Sequence, residues 1–524
     1  MSLNAPNIAN MYFDFISRSQ GMQNLAVLPE SQKIPKNEVS IFYFNDLHAQ
    51  MPKLSQLKTA SDSFTKIYDN QLHTDTFKIS GGDANIGSDT RKNKFLVQFL
   101  NLIGLDFSAI GNHELDDKSS NFSENIKDAN YRYISSNIEI DKNSPLENSV
   151  KNKKIVDSWI TNKNNHIYGF IGVSPVELKE RINPLYGAND VNVKNPVNTL
   201  KEVQKEVNEF KSKGINRIIL VSHLGYQGDV LLAKNISGID IIIGGHTHDL
   251  INGVIPEINQ IESPSGEPVI ITQAGKDGNY FGILNAVFDE KDRVISANNI
   301  VHKTNNYKKD DFVEFAKESI LGKPESIGTL SQIDCPQNVL TEENPLAGFI
   351  ADSMKNKANT QIALINSTSL RSKLEPGVIT TRNIQDLTPI TNKICKVELS
   401  EKDIIDALNA AAKSTSTPMC KPGLLQVSGL KYTVTSQKNV KDVFIENSDG
   451  TYSKLDHISP SPDKKFTAAY NDFLINGPEG LISLKKSPLE IFNWDSSAST
   501  IEYIKKFNNS PFEIKNEKRI IVET

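Results

Sequence analysis

Apolar residues in the first half of this chain come as short unbroken runs. Between Val39 and Leu250 these are VSIFYF, TFKI, FSAI, YRYIS, HIYGFIGV, RIILVS and IDIIIG. Each is short enough for a strand and rich in β-branched or aromatic residues, and most are continuously apolar. That pattern suits strands buried on both faces. Stretches with helical spacing lie between them, such as KFLVQFLNLIG and NTLKEVQKEVNEFKSKG. Strand and helix in alternation predict an α/β sandwich. Two further strands, PVIITQAG and FGILNAVFD, are expected to close its sheets.

The pattern changes after His302. The polar stretch VHKTNNYKK leads into DDFVEFAKESIL, where Phe312, Phe315, Ala316 and Ile320 fall on one helical face, and LGKPES ends that helix. A second region opens with a helix in NPLAGFIADSMKNKA, whose face is Leu346, Phe349, Ile350 and Met354. A strand, QIALINS, follows. Ser400 with Asp403 reads as an N-cap and a first-turn acid before IIDALNAAA. LQVSGLKYTVT and KFTAAYNDFL are the later strands. A chain of 524 residues exceeds what one hydrophobic core serves. The expected division is an extension at 1–38, a first domain at 39–305, a linker helix at 306–327 and a second domain at 328–524.

Composition narrows the partners. Asp and Glu number 63 against 58 Lys and Arg, which argues against a general electrostatic grip on nucleic acid or an anionic membrane. Cys335, Cys395 and Cys420 are far apart and form no CxxC pair, so a zinc-thiolate site is not expected. They read as buried small side chains, with one disulfide open. No apolar stretch is long enough for a transmembrane helix. The first residues have neither a basic start nor a continuous apolar segment, so they do not read as a signal peptide.

The candidate chemistry sits where the strands end. Five polar blocks directly follow apolar runs: Asn45-Asp46-Leu47-His48, Gly81-Gly82-Asp83, Gly111-Asn112-His113-Glu114, Ser222-His223 and Gly244-Gly245-His246-Thr247-His248. In α/β sheets the carboxyl ends of strands face a common crevice, so five such blocks can converge. Asp46, Asp83, Asn112, His48, His223, His246 and His248 offer mixed nitrogen and oxygen ligands. Such a set suits first-row metals such as Mn, Fe, Co, Ni or Zn, not a calcium cage. His73, His166, His302 and His457 lie outside these blocks and read as structural.

The order of the five blocks resembles that of the calcineurin-like metallophosphoesterases. Asn366-Ser-Thr-Ser-Leu-Arg371, GVITTRNI, LLQVSGLKY and Asn471-Asp472-Phe473 with Gly477 and Gly480 resemble the C-terminal domain of the bacterial 5'-nucleotidase / UDP-sugar hydrolase family. The likeness implies a four-layer α/β/β/α sandwich followed by an α+β substrate-binding domain. It implies two divalent metal ions: Asp46, His48 and His248 around one, Asn112, His223 and His246 around the other, and Asp83 bridging. It implies that His113 acts on the phosphate with Asp116 as its partner, while Glu114 bonds locally. It also places Asn366, Arg371, Phe473 and Glu479 on a small phosphorylated substrate such as a nucleotide. Members are usually periplasmic or extracellular.

Three positions depart from the family pattern. Pro389-Ile390 stands where a Pro-Phe pair stacks the base, no arginine precedes the first C-terminal helix, and Glu479 replaces an Asp. Arg382 and Lys393 are the nearby cations able to compensate. The leading expectation is a 5'-nucleotidase. The alternatives are a phosphodiesterase cleaving UDP-sugars or cyclic nucleotides, a broad phosphatase, or a catalytically idle scaffold.

Overall fold

The strand Glu38–Phe44 serves two cores at once. Val39, Ile41 and Tyr43 point into one hydrophobic cluster. Phe42 points the other way, its ring 5.6 Å from Phe64 on the helix Leu54–Phe64. This alternation within an all-apolar run is what a strand covered on both faces requires. The structure is a computed structural model. It describes residues 37–182, 187–390, 392–416, 422–508 and 510–523, without the side chain of Glu479. Nearly all of the expected extension, and Cys420, lie outside these residues.

The chain divides into two compact units, 1–323 and 324–524. In the first, a seven-stranded sheet runs in the order Val294–Lys303, Tyr280–Phe288, Glu38–Phe44, Asp75–Ser80, Phe107–Ala109, Arg132–Ile134, Ile155–Val156. A six-stranded sheet runs Gln260–Glu262, Pro268–Thr272, Ile241–Ile243, Arg217–Ser222, His166–Val173, Ser158–Lys163. The central strands of each are parallel. The two sheets share one cluster, in which Phe77, Ile79 and Phe107 of the first meet Phe170, Ile219 and Ile241 of the second. Phe107 and Phe170 stack across it with ring centres 4.3 Å apart, a pairing worth about 0.5–1.5 kcal/mol beyond burial. The far face of the second sheet packs Ile171, Leu220 and Ile242 against Val203, Val207 and Phe210 of the helix Pro196–Ser212. With helices outside both sheets, the order of layers is helix, sheet, sheet, helix.

The helix Asp311–Leu321 packs on Leu54–Phe64 and Thr90–Ile103 of the first unit. Its buried face is Phe312, Val313, Ala316 and Lys317. Phe315, expected inside, is 54 % exposed. Lys317 covers the apolar surface with its stem and pairs its ammonium with Glu314 at 2.8 Å.

The second unit holds a five-stranded sheet in the order Leu425–Ser428, Ile362–Asn366, Lys465–Asn471, Lys393–Ser400, Glu490–Asp495, with a four-stranded and a three-stranded sheet. The helix Glu401–Ser414 starts at a reciprocal cap between Ser400 and Asp403. LQVSGLKYTVT is not one strand. It breaks at Gly429, and its halves join different sheets. Gly429 has φ +68°, and a Cβ there would sit 2.2 Å from the carbonyl oxygen of Gln361, so only glycine lets the chain turn. Of the cysteines, Cys395 is buried and Cys335 is exposed, both as free thiols. Cys335 follows the strand Ser326–Ile333 on the surface, which corrects the expectation of burial.

Candidate metal centre

The five polar blocks occupy the carboxyl ends of five strands, three in the first sheet and two in the second. The backbone there is unusual. Asp46, His48, Asp83, His246 and His248 all have positive φ, between 49° and 79°. Such conformations cost non-glycine residues about 1–2 kcal/mol each and cluster at functional sites. Glycines bring the loops together. A Cβ on Gly81 would lie 2.2 Å from the Gly244 carbonyl, and one on Gly111 would lie 2.1 Å from Asp83 Oδ1.

The ligand atoms of Asp46, His48 and His248 lie within 4.8 Å of one another, as do those of Asp83, His223 and His246. A third set, His48, Asp83 and His113, overlaps both. Asp46 Oδ2 accepts from Asn45 Nδ2 at 2.6 Å and the His246 backbone N–H at 3.0 Å. Its Oδ1 is left facing His248 Nε2 at 3.3 Å and His48 Nε2 at 3.7 Å. Asp83 is divided similarly. Its Oδ1 accepts the His113 backbone N–H at 2.8 Å, and its Oδ2 lies 3.1 Å from His223 Nε2 and 3.7 Å from His48 Nε2. A single oxygen of Asp83 thus faces both groups.

Each of three imidazoles has its other nitrogen held. The acceptors are a carbonyl or carboxylates, so the held nitrogen carries the proton. His223 Nδ1 donates to the Gly81 carbonyl at 2.6 Å, His48 Nδ1 to Asp277 at 2.9 Å and His113 Nδ1 to Asp116 Oδ2 at 2.7 Å. Asp116 caps the 3₁₀ turn His113–Leu115 and also accepts the Gly87 N–H at 2.8 Å. Such partners orient metal-binding rings and fix their tautomers. Glu114 ties two loops by accepting from the backbone N–H groups of Asp83, Ala84, Asn85 and Gly111 at 2.8–3.1 Å. Burial, assisted by the Asp83 charge, pushes its carboxyl up to about 7.

The electrostatics match a cation site. Burial alone would raise Asp46 and Asp83, but the surrounding imidazoles outweigh it and hold both carboxyls below the usual range. Burial opposes charge on His223, yet Asp83 and Asp46 push it up to about 10. Burial brings His248 down to about 4. Asp46 Oδ1, Asn112 Oδ1 and His223 Nε2 are sealed from solvent and make no hydrogen bond of good geometry. Buried polar atoms are rarely left so. Two of them, Asp46 Oδ1 and His223 Nε2, lie 3.9 Å apart among the clustered ligand atoms and fit a divalent metal centre.

Residues 39–250 match the calcineurin-like phosphoesterase family, and residues 326–486 match the 5'-nucleotidase C-terminal domain. The chain carries a calcineurin-like phosphoesterase domain and a 5'-nucleotidase C-terminal domain. The phosphoesterase is 26 % identical to the trifunctional nucleotide phosphoesterase protein YfkN of Bacillus subtilis over 86 % of its own length, and spans 33 % of that longer protein. It is 24 % identical to a probable 5'-nucleotidase of Treponema pallidum, over 85 % of this chain and 87 % of the relative. The solved 5'-nucleotidase precursor from Thermus thermophilus shares the fold with a TM-score of 0.75 at 22 % identity, covering 93 % of this chain and 99 % of that one. Divalent metals are therefore expected of this phosphoesterase. Among the described residues no helix is long and apolar enough to cross a membrane.

The expected substrate residues lie in the second unit. Asn366 ends the strand Ile362–Asn366, with its side chain between Thr368 and Ser369 at 2.6 Å. Phe473 follows the neighbouring parallel strand Lys465–Asn471 and packs on the core. The pairing of Ala363 with Ala469 puts both residues at the same end of that sheet. Arg371 keeps a buried Nε without a hydrogen bond. The ammonium of Lys393 is held by Asn493 at 2.7 Å. The side chain of Glu479 lies outside the described residues.

Two site residues escaped the sequence reading, Glu177 and Asp277. Glu177 closes the Ser174–Glu177 segment after the strand His166–Val173, and Asp277 sits in the turn after Pro268–Thr272. Both hold the strand-end placement that marks the ligands. Neither has a neighbouring histidine to draw the eye.

Proposed function

We propose that this chain is a two-metal 5'-nucleotidase, releasing phosphate and a nucleoside from a nucleoside 5'-monophosphate. The observation that carries this is the convergence at strand ends of Asp46, His48 and His248, and of Asp83, His223 and His246, the ligand atoms of each set lying within 4.8 Å of one another. Asp46, His48 and His248 would hold one cation and Asn112, His223 and His246 the other, with Asp83 Oδ2 between them. The donor set suits Mn, Fe, Co, Ni or Zn. Such ions, when bound, activate water near neutral pH and neutralise charge on the phosphoryl oxygens.

The chain's own residues supply the rest. His113 Nε2 faces the same cluster, 4.0 Å from Asp83 Oδ2, while Asp116 holds Nδ1. Protonated, His113 donates to a phosphoryl oxygen or passes its proton to the departing ribose oxygen. Asn366, Arg371, Phe473 and Glu479 are assigned to the nucleotide. The free Nε of Arg371 suits an anionic partner, and the Phe473 ring suits the base.

A second reading, hydrolysis of a UDP-sugar or cyclic nucleotide, is favoured by Ile390, which offers the base no second aromatic face. The deciding experiment strips the protein with chelator, restores Mn, Co or Zn, and measures phosphate release from AMP, UDP-glucose, a cyclic nucleotide and a simple phosphate ester. AMP is expected to be turned over best. Turnover of UDP-glucose above AMP selects the second reading, and silence with every metal rejects both.

A further inference from the structure

His246 is turned the opposite way from the other held imidazoles. His48, His113 and His223 are each fixed through Nδ1. His246 is fixed through Nε2, which lies 2.8 Å from Glu177 Oε1. A carboxylate only accepts, so the His246 proton sits on Nε2 and Nδ1 keeps the free lone pair. Nδ1 is then the nitrogen His246 can give to the group it forms with Asp83 and His223.

The buried ring packs edge-on against His223, with ring centres 5.0 Å apart, and has one hydrogen-bonding anchor. His246 has positive φ, and its backbone N–H is committed to Asp46 Oδ2. Among the hydrogen bonds of the described residues, the imidazole has one partner, Glu177. Glu177 is itself placed by the turn at the start of the short helix Leu178–Arg181, with the Arg181 guanidinium 3.6 Å away. On the other side of the site, Asp277 does the corresponding work for His48, and its backbone N–H is fixed on the Asp46 carbonyl at 2.7 Å.

We propose that Glu177 is a positioning residue for one of the two cation sites: it presents His246 Nδ1 to the cation beside Asp83 and His223, and Asp277 serves the other cation through His48. The inference rests on the two-metal reading above. Glu177 touches no reacting atom in this assignment. Removing it frees the ring to rotate and lets the proton move to Nδ1, both of which weaken one cation site and leave its neighbour intact. Loss of such a partner typically weakens metal affinity by 10–100-fold.

The test is titration of the metal-stripped full-length protein with Co(II), following the visible absorption of the bound ion and competing with a chelator of known affinity. Wild type is expected to take two equivalents. Glu177→Ala is expected to bind one of them about 10–100-fold more weakly, and the other as before. Glu177→Gln retains an acceptor for the Nε2 proton and is expected to fall between. Asp277→Asn is expected to weaken the equivalent that Glu177→Ala spares. Wild-type affinity for both equivalents in Glu177→Ala overturns the proposal, as does equal weakening of both. So does a matching loss at the same equivalent in the Asp277 variant. Should Glu177→Ala fail to fold, Glu177→Gln decides alone, with unchanged affinities counting against the proposal. Failure of wild type to bind two ions would instead overturn the two-metal reading, so the two failures are distinguishable.

Discussion

At the scale of single residues, the two oxygens of Asp83 have separate duties. Oδ1 anchors the loop that carries His113, and Oδ2 faces the imidazoles of His223 and His48. Asp83→Ala is expected to abolish phosphate release and to lose bound metal, whereas His113→Ala is expected to keep its metal and lose about 10²–10⁴ in kcat. Metal analysis beside steady-state kinetics separates them; near-normal turnover in either variant rejects its role. Asp472 gives a pH test in the second unit. Burial pushes its carboxyl up to about 6, although the Lys393 backbone N–H and ammonium pull the other way. A folded value above the unfolded one means stability is highest below the unfolded value, about 3.9, and declines as pH climbs through about 6. Asp472→Asn is expected to remove that decline, on the order of 2–3 kcal/mol, and denaturant melts at pH 4 and 7 would show it. Equal pH slopes for variant and wild type would refute it. The residues proposed as ligands could be picked out in the sequence because each follows an apolar run. Glu177 and Asp277 were not, since a lone acid after a strand looks like any solvated turn.

At the scale of elements, the strands before the ligands were readable from unbroken apolar runs such as VSIFYF. Other details depended on contacts no local pattern records. Phe315 was expected in the core, but the helix Asp311–Leu321 turns Val313 and Lys317 inward because of where it meets its two neighbours. Gly429 splits an apparently continuous strand for the sake of a close backbone approach to Gln361. The glycines beside the ligands work the same way. Gly81→Ala would push against the Gly244 carbonyl, with no flexible side chain there to give way. The expected result is a loss of about 1–3 kcal/mol together with weaker metal binding, measured by thermal melts with and without metal. A variant as stable and as well loaded as wild type would show that the loops adjust freely.

At the scale of the molecule, length called for more than one core. The chain forms two compact units, and among the described residues no hydrophobic cluster draws residues from both. The order of strands in each sheet was not legible, because it depends on pairings between runs of nearly equal hydrophobicity. Ligands that bind only the folded first unit stabilise that unit alone. Adding chelator to loaded protein is therefore expected to lower one calorimetric transition by several degrees and leave the other in place. Both transitions moving together would contradict it.

Asp46, His48, Asp83 and Asn112 hang from one sheet, and His223, His246 and His248 from the other. Each proposed cation is thus gripped from two sides of a hydrocarbon seam. The thickness of that seam, set by side chains such as Phe107 and Phe170, works as a gauge block for the spacing of the chemistry above it. A trimmed ring deep in the layer would shift the jaws of the site without touching any residue in it.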